Sequence, residues 1–159
     1  MPPTVWQQIL SAIDARLKTI LVANHYQTDA GNNVFYWRTT DFRQDEDGTL
    51  PDLPAIKYFE TTEENETLNM AIESNTVALN IEVLAGGSDD ATVKAVLDQM
   101  YADVLKCVGV DETWGGLALL TEMKAHEVKM EREELLMGSI LTTFELLYRH
   151  RRWDPFTAA

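Results

Sequence analysis

Residues 77–109 read VALNIEVLAGGSDDATVKAVLDQMYADVLKCVG, and two different periods meet in them at Gly86-Gly87. Before the glycines, Val77, Leu79, Ile81 and Val83 alternate with Ala78, Asn80 and Glu82. A period of two predicts a strand with one dry face. After the glycines, Val93, Val96, Leu97, Met100, Tyr101, Val104, Leu105 and Val108 recur at helical spacing. Lys94, Asp98, Gln99, Asp103 and Lys106 lie mostly off that stripe. Ser88, Asp89 and Asp90 supply a cap and negative charge for the helix N-terminus, and Gly109 is placed to end the helix. A helix with a single apolar stripe can cover one face of a sheet and must then meet water.

Working outward, Thr4 is positioned to cap a helix over about 5–23, in which Val5, Ile9, Ile13, Leu17, Ile20 and Leu21 form the apolar stripe. Asp14 and Lys18 stand four apart on its exposed face in the favourable order. Asp29 to Asn33 is turn chemistry. Val34 to Thr40 and Ala55 to Thr61 read as strands, separated by an acidic loop over 41–52. Residues 62–74, with Glu63, Glu64 and Glu66, read as an acidic connection with a turn of helix near Leu68 to Ile72.

Downstream, Trp114-Gly115-Gly116 predicts a bend. Leu117 to Met130 and Leu135 to Arg149 form a long hairpin turning near 129–134, with Ile140, Phe144, Leu146 and Tyr148 on one side. Helix is the rival for 117–136, where Ala, Leu, Met, Glu and Lys dominate; the β-branched and aromatic partner segment decides for strand. The expected fold is α+β: a mainly antiparallel sheet, two amphipathic helices on one face and a long C-terminal hairpin. Residues 1–159 are expected to form a single domain with flexible ends at about 1–4 and 154–159, since a chain of this size buries roughly 70% of its extended surface.

Thirteen Lys and Arg against 26 Asp and Glu give a net charge of −13. Such a chain repels phosphate backbones, so sequence-specific nucleic-acid binding is not expected. No run approaches the ~20 apolar residues of a membrane span, and no secretory signal is recognisable. Cys107 is the one cysteine, which excludes an internal disulfide and a thiolate metal site within one chain. With no secretory signal recognisable, the triplet Asn65-Glu66-Thr67 reads as a chance glycosylation match.

Chemistry is sparse. His25, His126 and His150 lack the spacing of a helical metal site. Asp45-Glu46-Asp47-Gly48 fails as a calcium loop, because Arg43 and Pro54 fall where carboxylates are required. Gly86-Gly87 lacks the lysine and further glycines of a phosphate cradle. Neither Ser11 nor Ser139 has a nucleophile's setting, and Cys107 reads as inert and partly buried. No catalytic residue, cofactor or metal site is assigned, and no enzymatic activity is expected.

Two features remain. Arg149, Arg151, Arg152 and Trp153 form the one basic cluster: either ion pairs with acidic loops, or a docking patch for an acidic partner or a neighbouring copy. Asp45, Glu46, Asp47, Glu63 and Glu64 concentrate acidic charge in two loops, which favours solubility or a non-adhesive wall facing solvent or a lumen.

The order of elements then resembles a known family. A helix with Ile13-Asp-Ala-Arg16-Leu-Lys-Thr-Ile20 leads to a turn with Tyr26 and Gly31, and Leu53-Pro54-Ala-Ile56 opens a strand. The strand Val77–Val83, Asp-rich capping and the helix to Val108 follow; Leu147-Tyr148-Arg149 and Trp153-Asp154-Pro155 close the chain. This pattern resembles the small tail-terminator and tail-completion (minor tail) proteins of long-tailed phages, of the lambda-like type. The resemblance implies a virion protein of the tail, assembled in the host cytoplasm. Such a protein forms a homo-oligomeric ring, commonly six-fold, that caps the tail tube at the head–tail joint. Its partners would be the tail tube protein and the head–tail connector protein. The resemblance carries no active site; it places function in sheet edges and hairpins, with the 117–148 hairpin in subunit contacts. Head–tail connector or neck proteins share size and layout and are the alternative. A small-ligand-binding or enzymatic α+β domain, which requires a deep pocket with convergent polar groups, is a further one. A phage-encoded adaptor that binds a host protein through the basic cluster is the last.

Overall fold

The computed structural model describes residues 1–40, 42, 52–132 and 136–159. The chain runs α1 (Val5–Leu17), β1 (Val34–Tyr36), β2 (Ala55–Thr67), β3 (Ile72–Gly87), α2 (Asp90–Gly109), β4 (Ala118–Arg132), β5 (Leu136–Arg151) and β6 (Asp154–Ala158). The strands make one six-stranded sheet in the order β1-β2-β3-β5-β4, with β6 also on β5. Every pairing is antiparallel except the short β1–β2 contact. The expected α+β architecture is therefore the observed one.

Strand β3 is the centre of the sheet, paired with β2 along one side and with β5 from Ile72↔Arg151 to Gly87↔Leu136 on the other. The register sets Ile56, Val83, Ile140 and Val128 in one row, and Leu79, Phe144 and Met123 in another. These rows face the helices. Val5, Ile9, Ile13 and Leu17 of α1 and Val93, Leu97, Met100 and Val104 of α2 are buried in one apolar cluster with Ile56, Leu79, Val83, Ile140 and Phe144, while Val128 and Met123 at the ends of the rows stay exposed. Each such side chain contributes about 1.5–3 kcal/mol by leaving water. Trp6 stacks on Tyr148 at 5.6 Å, and Tyr58 donates to Asp14 Oδ1 at 3.1 Å, which seats α1 over β2 and β5. Tyr101 of α2 packs on His126 at 5.1 Å, extending the cover towards β4.

Local chemistry explains both helix starts. Thr4 and Gln7 form a reciprocal capping box on α1, and Asp89 accepts from Thr92 N at 2.8 Å on α2. The predicted end of the first helix at about 23 is corrected to Leu17. Ile20 is still buried, but it arrives there because the chain bends at Lys18 and then runs as a 3₁₀ turn over Val22–Asn24. Gly109 is the last residue of α2 and not a left-handed cap, since its φ is not positive.

Other boundaries also move. The strand expected over 34–40 stops at Tyr36, where Trp37 takes φ 49°. The acidic connection expected over 62–74 is a hairpin: Glu63↔Val77 to Thr67↔Glu73 continue the β2–β3 ladder, and the turn closes with Leu68 N donating to Ile72 O at 3.1 Å. No helical turn occurs at Leu68–Ile72. Ladder hydrogen bonds outweigh the poor strand propensity of four glutamates because their side chains point into water. The end expected to be flexible, 154–159, instead supplies β6, whose Ala158 pairs with His150. The 41–52 loop, with Asp45, Glu46 and Asp47, lies outside the described residues apart from Phe42 and Asp52.

The face of β3 away from the helices is drier than alternation suggests. Asn80 is buried there, donating to Thr61 Oγ1 at 3.1 Å and accepting from Thr143 Oγ1 at 2.9 Å. Glu82 sits on the same face in an ion pair with Lys57 at 2.8 Å.

The bend after α2 is held by a carboxylate. Asp111 accepts from Thr113 Oγ1 at 2.5 Å and from Gly115 N at 2.7 Å, while Trp114, Gly115 and Gly116 take φ of 52°, 78° and 82°. The Thr113 hydroxyl first, then the Gly115 and Thr113 amides and Arg16, hold the Asp111 carboxyl down at about 2. A folded-state value below the unfolded one stabilises at pH above the unfolded value and loses that contribution as pH falls towards 2. The Asp111→Asn variant is expected to melt below the parent at neutral pH, with the gap closing between about pH 4 and pH 2. A gap that stays constant across that range in thermal melts would contradict this account of the bend.

Candidate assembly interface

Among the described residues, no nucleophile, acid and base cluster together. Among the described residues no three His, Cys, Asp or Glu side chains gather as metal ligands would. Cys107 is fully buried, its thiol donating to Arg16 O at 3.3 Å, and burial pushes that thiol up. A groove of about 550 Å³ lies on the sheet face away from the helices, lined in part by Arg38, Lys57, Glu82 and Lys129. Lys57 pairs with Glu82 at 2.8 Å, Arg38 with Asp52 at 2.8 Å and Lys129 with Glu127 at 3.7 Å.

The distinctive surfaces are the edges of the sheet. Strand β4 is the terminal strand; Ala118 N at its start donates to Thr113 O at 2.8 Å, and beyond that no strand among the described residues pairs with its outer side. From Glu122 to Arg132 its side chains are exposed on both faces, among them Met123, Val128 and Met130. Bulges near Ala118/Leu120 and Met123/Ala125 interrupt its ladder with β5, and Lys124 bridges Glu122 and Glu145. Charges and bulges are common edge devices that discourage indiscriminate pairing. On the other side, β1 covers only Ile56 to Tyr58, and no other strand among the described residues pairs with the outer side of β2 from about Phe59 to Thr67.

The basic cluster and the described part of the acidic one, Glu63 and Glu64, lie at one end of the sheet. Glu63 is fixed by Tyr148, whose hydroxyl donates to Oε1 at 2.7 Å; burial and that bond raise the Tyr148 phenol. Glu64 is exposed and has no cation partner among the described residues. Arg149 is half-buried on the face away from the helices, in register with Ser74 and, across β3, Glu66. Arg151 is exposed, without an ion pair among the described residues. Arg152 points to Glu73 at 3.8 Å and lies 5.2 Å from the Trp153 ring. His150 reaches the same carboxylate, Nε2 to Oε2 at 3.8 Å. The cluster therefore divides: Arg152 has an internal acidic partner, whereas Arg151 and Trp153 face solvent.

Sequence reading missed the apolar half of this corner. Met70 and Leu68 sit at the tip of the β2–β3 hairpin, 92% and 41% exposed, beside the Arg151–Asp154 turn. The signal was available as two large apolar residues flanking Asn69, but it carries weight only once 62–74 is known to be a hairpin.

No protein-family model matches this chain, and no curated protein matches it in sequence. No helix among the described residues is long and apolar enough to cross a membrane.

Proposed function

We propose that this chain is a structural subunit of a ring at the head–tail joint of a long-tailed phage, where it caps the tail tube. The carrying observation is a pair of edges that no strand among the described residues covers, most of β4 and the outer half of β2, on opposite sides of one sheet. Free backbone donors and acceptors on two different edges suit head-to-tail contacts, and a closed ring satisfies them without open-ended growth. The family resemblance supplies the setting: a homo-oligomer in the virion tail, between the tail tube protein and the head–tail connector protein, with no enzymatic role.

Solution mass is the direct test. Light scattering of the purified chain is expected to give about six times 18.0 kDa, or the 18.0 kDa monomer to assemble when tail tubes are added. A strict monomer that ignores tubes would refute the reading. Binding to isolated heads but not to tubes would move the chain to the neck connectors instead.

A further inference from the structure

We propose that a basic, aromatic corner of this chain docks on the acidic β2 rim of a second copy, head to tail, which names the contact within the ring reading above and rests on it. The corner joins two turns, because Arg152 N donates to Ala71 O at 2.8 Å and so ties the β5–β6 turn to the tip of the β2–β3 hairpin. Trp153 is 81% exposed and Met70 92%, with Phe156 beside them in β6 at 42%. Large exposed Trp and Met side chains flanked by arginine are the residue types that dominate contact energies.

The backbone adds an independent observation. Trp153 holds φ 63°, a left-handed conformation that favours glycine. Trp37 and Trp114 share positive φ, but their indoles are used internally, donating to Glu60 Oε2 at 3.0 Å and Thr121 Oγ1 at 2.9 Å. The Trp153 indole has no such partner among the described residues. A left-handed backbone kept for a ring whose one contact among the described residues is its neighbour Arg152, at 5.2 Å, points outward.

The second copy is chosen by charge. At −13 each chain repels its copies, and the Arg149–Trp153 corner is where that sign reverses. The complement stands at the same end of the same sheet: Glu64 and Glu66 are exposed on the free edge of β2, and Glu63 is held in place by Tyr148. Sheet order puts β2 on one side of β3 and β5, with the β6 turn on the other. Corner and rim thus lie on opposite sides of one narrow arm. Each copy offers one of each, which is a heterologous contact that closes by rotation.

Charge exchange tests this. Arg151→Glu replaces an exposed positive charge of the corner with a negative one, and Glu64→Arg with Glu66→Arg reverses the exposed charge of the rim. All three positions are exposed, and Arg152 is left in place because it partners Glu73. Each variant alone is expected to associate about tenfold more weakly or worse in sedimentation velocity, and an equimolar mixture to recover the parent assembly as alternating copies. Trp153→Gly, which suits the positive φ and so keeps the turn, is expected to weaken assembly with an unchanged circular dichroism spectrum. If the parent assembles while these variants assemble equally well, the corner–rim contact is wrong and the ring reading stands. Loss of assembly that mixing does not restore also overturns the contact. A parent chain that is monomeric with and without tubes overturns both.

Discussion

Replacing Gly31 by alanine is expected to lower stability by about 3 kcal/mol or more, a fall of roughly 6–12 °C in melting temperature for a chain of this size. A Cβ at this position would stand 2.7 Å from Ile20 O, 2.8 Å from Lys18 O and 2.9 Å from Leu17 O. All three are backbone atoms, so no rotamer change can relieve the overlap. Leu17 O and Lys18 O close α1 and Ile20 O follows it, and Gly31 N donates to Ile20 O at 2.8 Å. The segment just after α1 is thus fastened by the backbone of the turn at 29–33, which must come closer than any side chain permits. Gly109→Ala is the control. It has open space around it and ordinary helical φ, so alanine there is expected to be neutral or stabilising by about 0.5–1 kcal/mol. Equal melting temperatures for the two variants would show that the close approach at Gly31 is not what holds the turn.

The second large effect is expected at Asp103, where alanine should cost about 3–5 kcal/mol in urea unfolding. This carboxylate is 1% exposed on α2. It accepts from Gln27 N at 2.9 Å, Thr28 N at 2.9 Å and Thr28 Oγ1 at 2.8 Å. Removing it leaves two backbone amides and a hydroxyl without their acceptor, each costing about 1–3 kcal/mol, partly offset by no longer having to desolvate a charge. Asp103→Asn should fall between, because a carboxamide keeps one acceptor oxygen and presents two N–H groups to donors. Alanine within 1 kcal/mol of the parent would sink the idea that Asp103 pins the α1–β1 connection to α2. The neighbouring bond from Lys106 Nζ to His25 O, at 2.7 Å, fastens the same connection and would partly cushion the loss.

Asp103 also shows where sequence reading stops. It sits off the apolar stripe of α2 and was expected to face water with Lys94 and Asp98. Periodicity ranks side chains by polarity, and a buried carboxylate is polar by every such measure. Only the arrival of Gln27 and Thr28, some seventy-five residues away in sequence, gives it partners. The β2–β3 hairpin was hidden for a related reason. Glu60, Glu63, Glu64 and Glu66 spoil both alternation and propensity, yet the strand survives because β3 supplies a ladder and water supplies the rest. By contrast α2 and the 77–83 stretch of β3 were legible because their apolar spacing is a direct record of which face is dry, and the β4–β5 hairpin was legible from the β-branched and aromatic residues of its second strand.

The candidate site divides in the same way. Arg149, Arg151, Arg152 and Trp153 stand out as a basic run in an acidic chain, so composition finds them. That Arg152 turns inward to Glu73 while Trp153 stays out is decided by register and by a turn with positive φ.

What this sequence determined alone is therefore the class of fold: two one-sided helices, strands with alternating or β-branched runs, and caps at Thr4 and Asp89 that place the helix starts. Those are local properties, set by side-chain period and by hydrogen bonds within a few residues. The tertiary structure alone decided which polar groups are dry, how far β2 runs, which edges stay open and which tip meets the Arg151–Asp154 turn. Each of these depends on partners distant along the chain, and a free edge is defined by a neighbour that does not come.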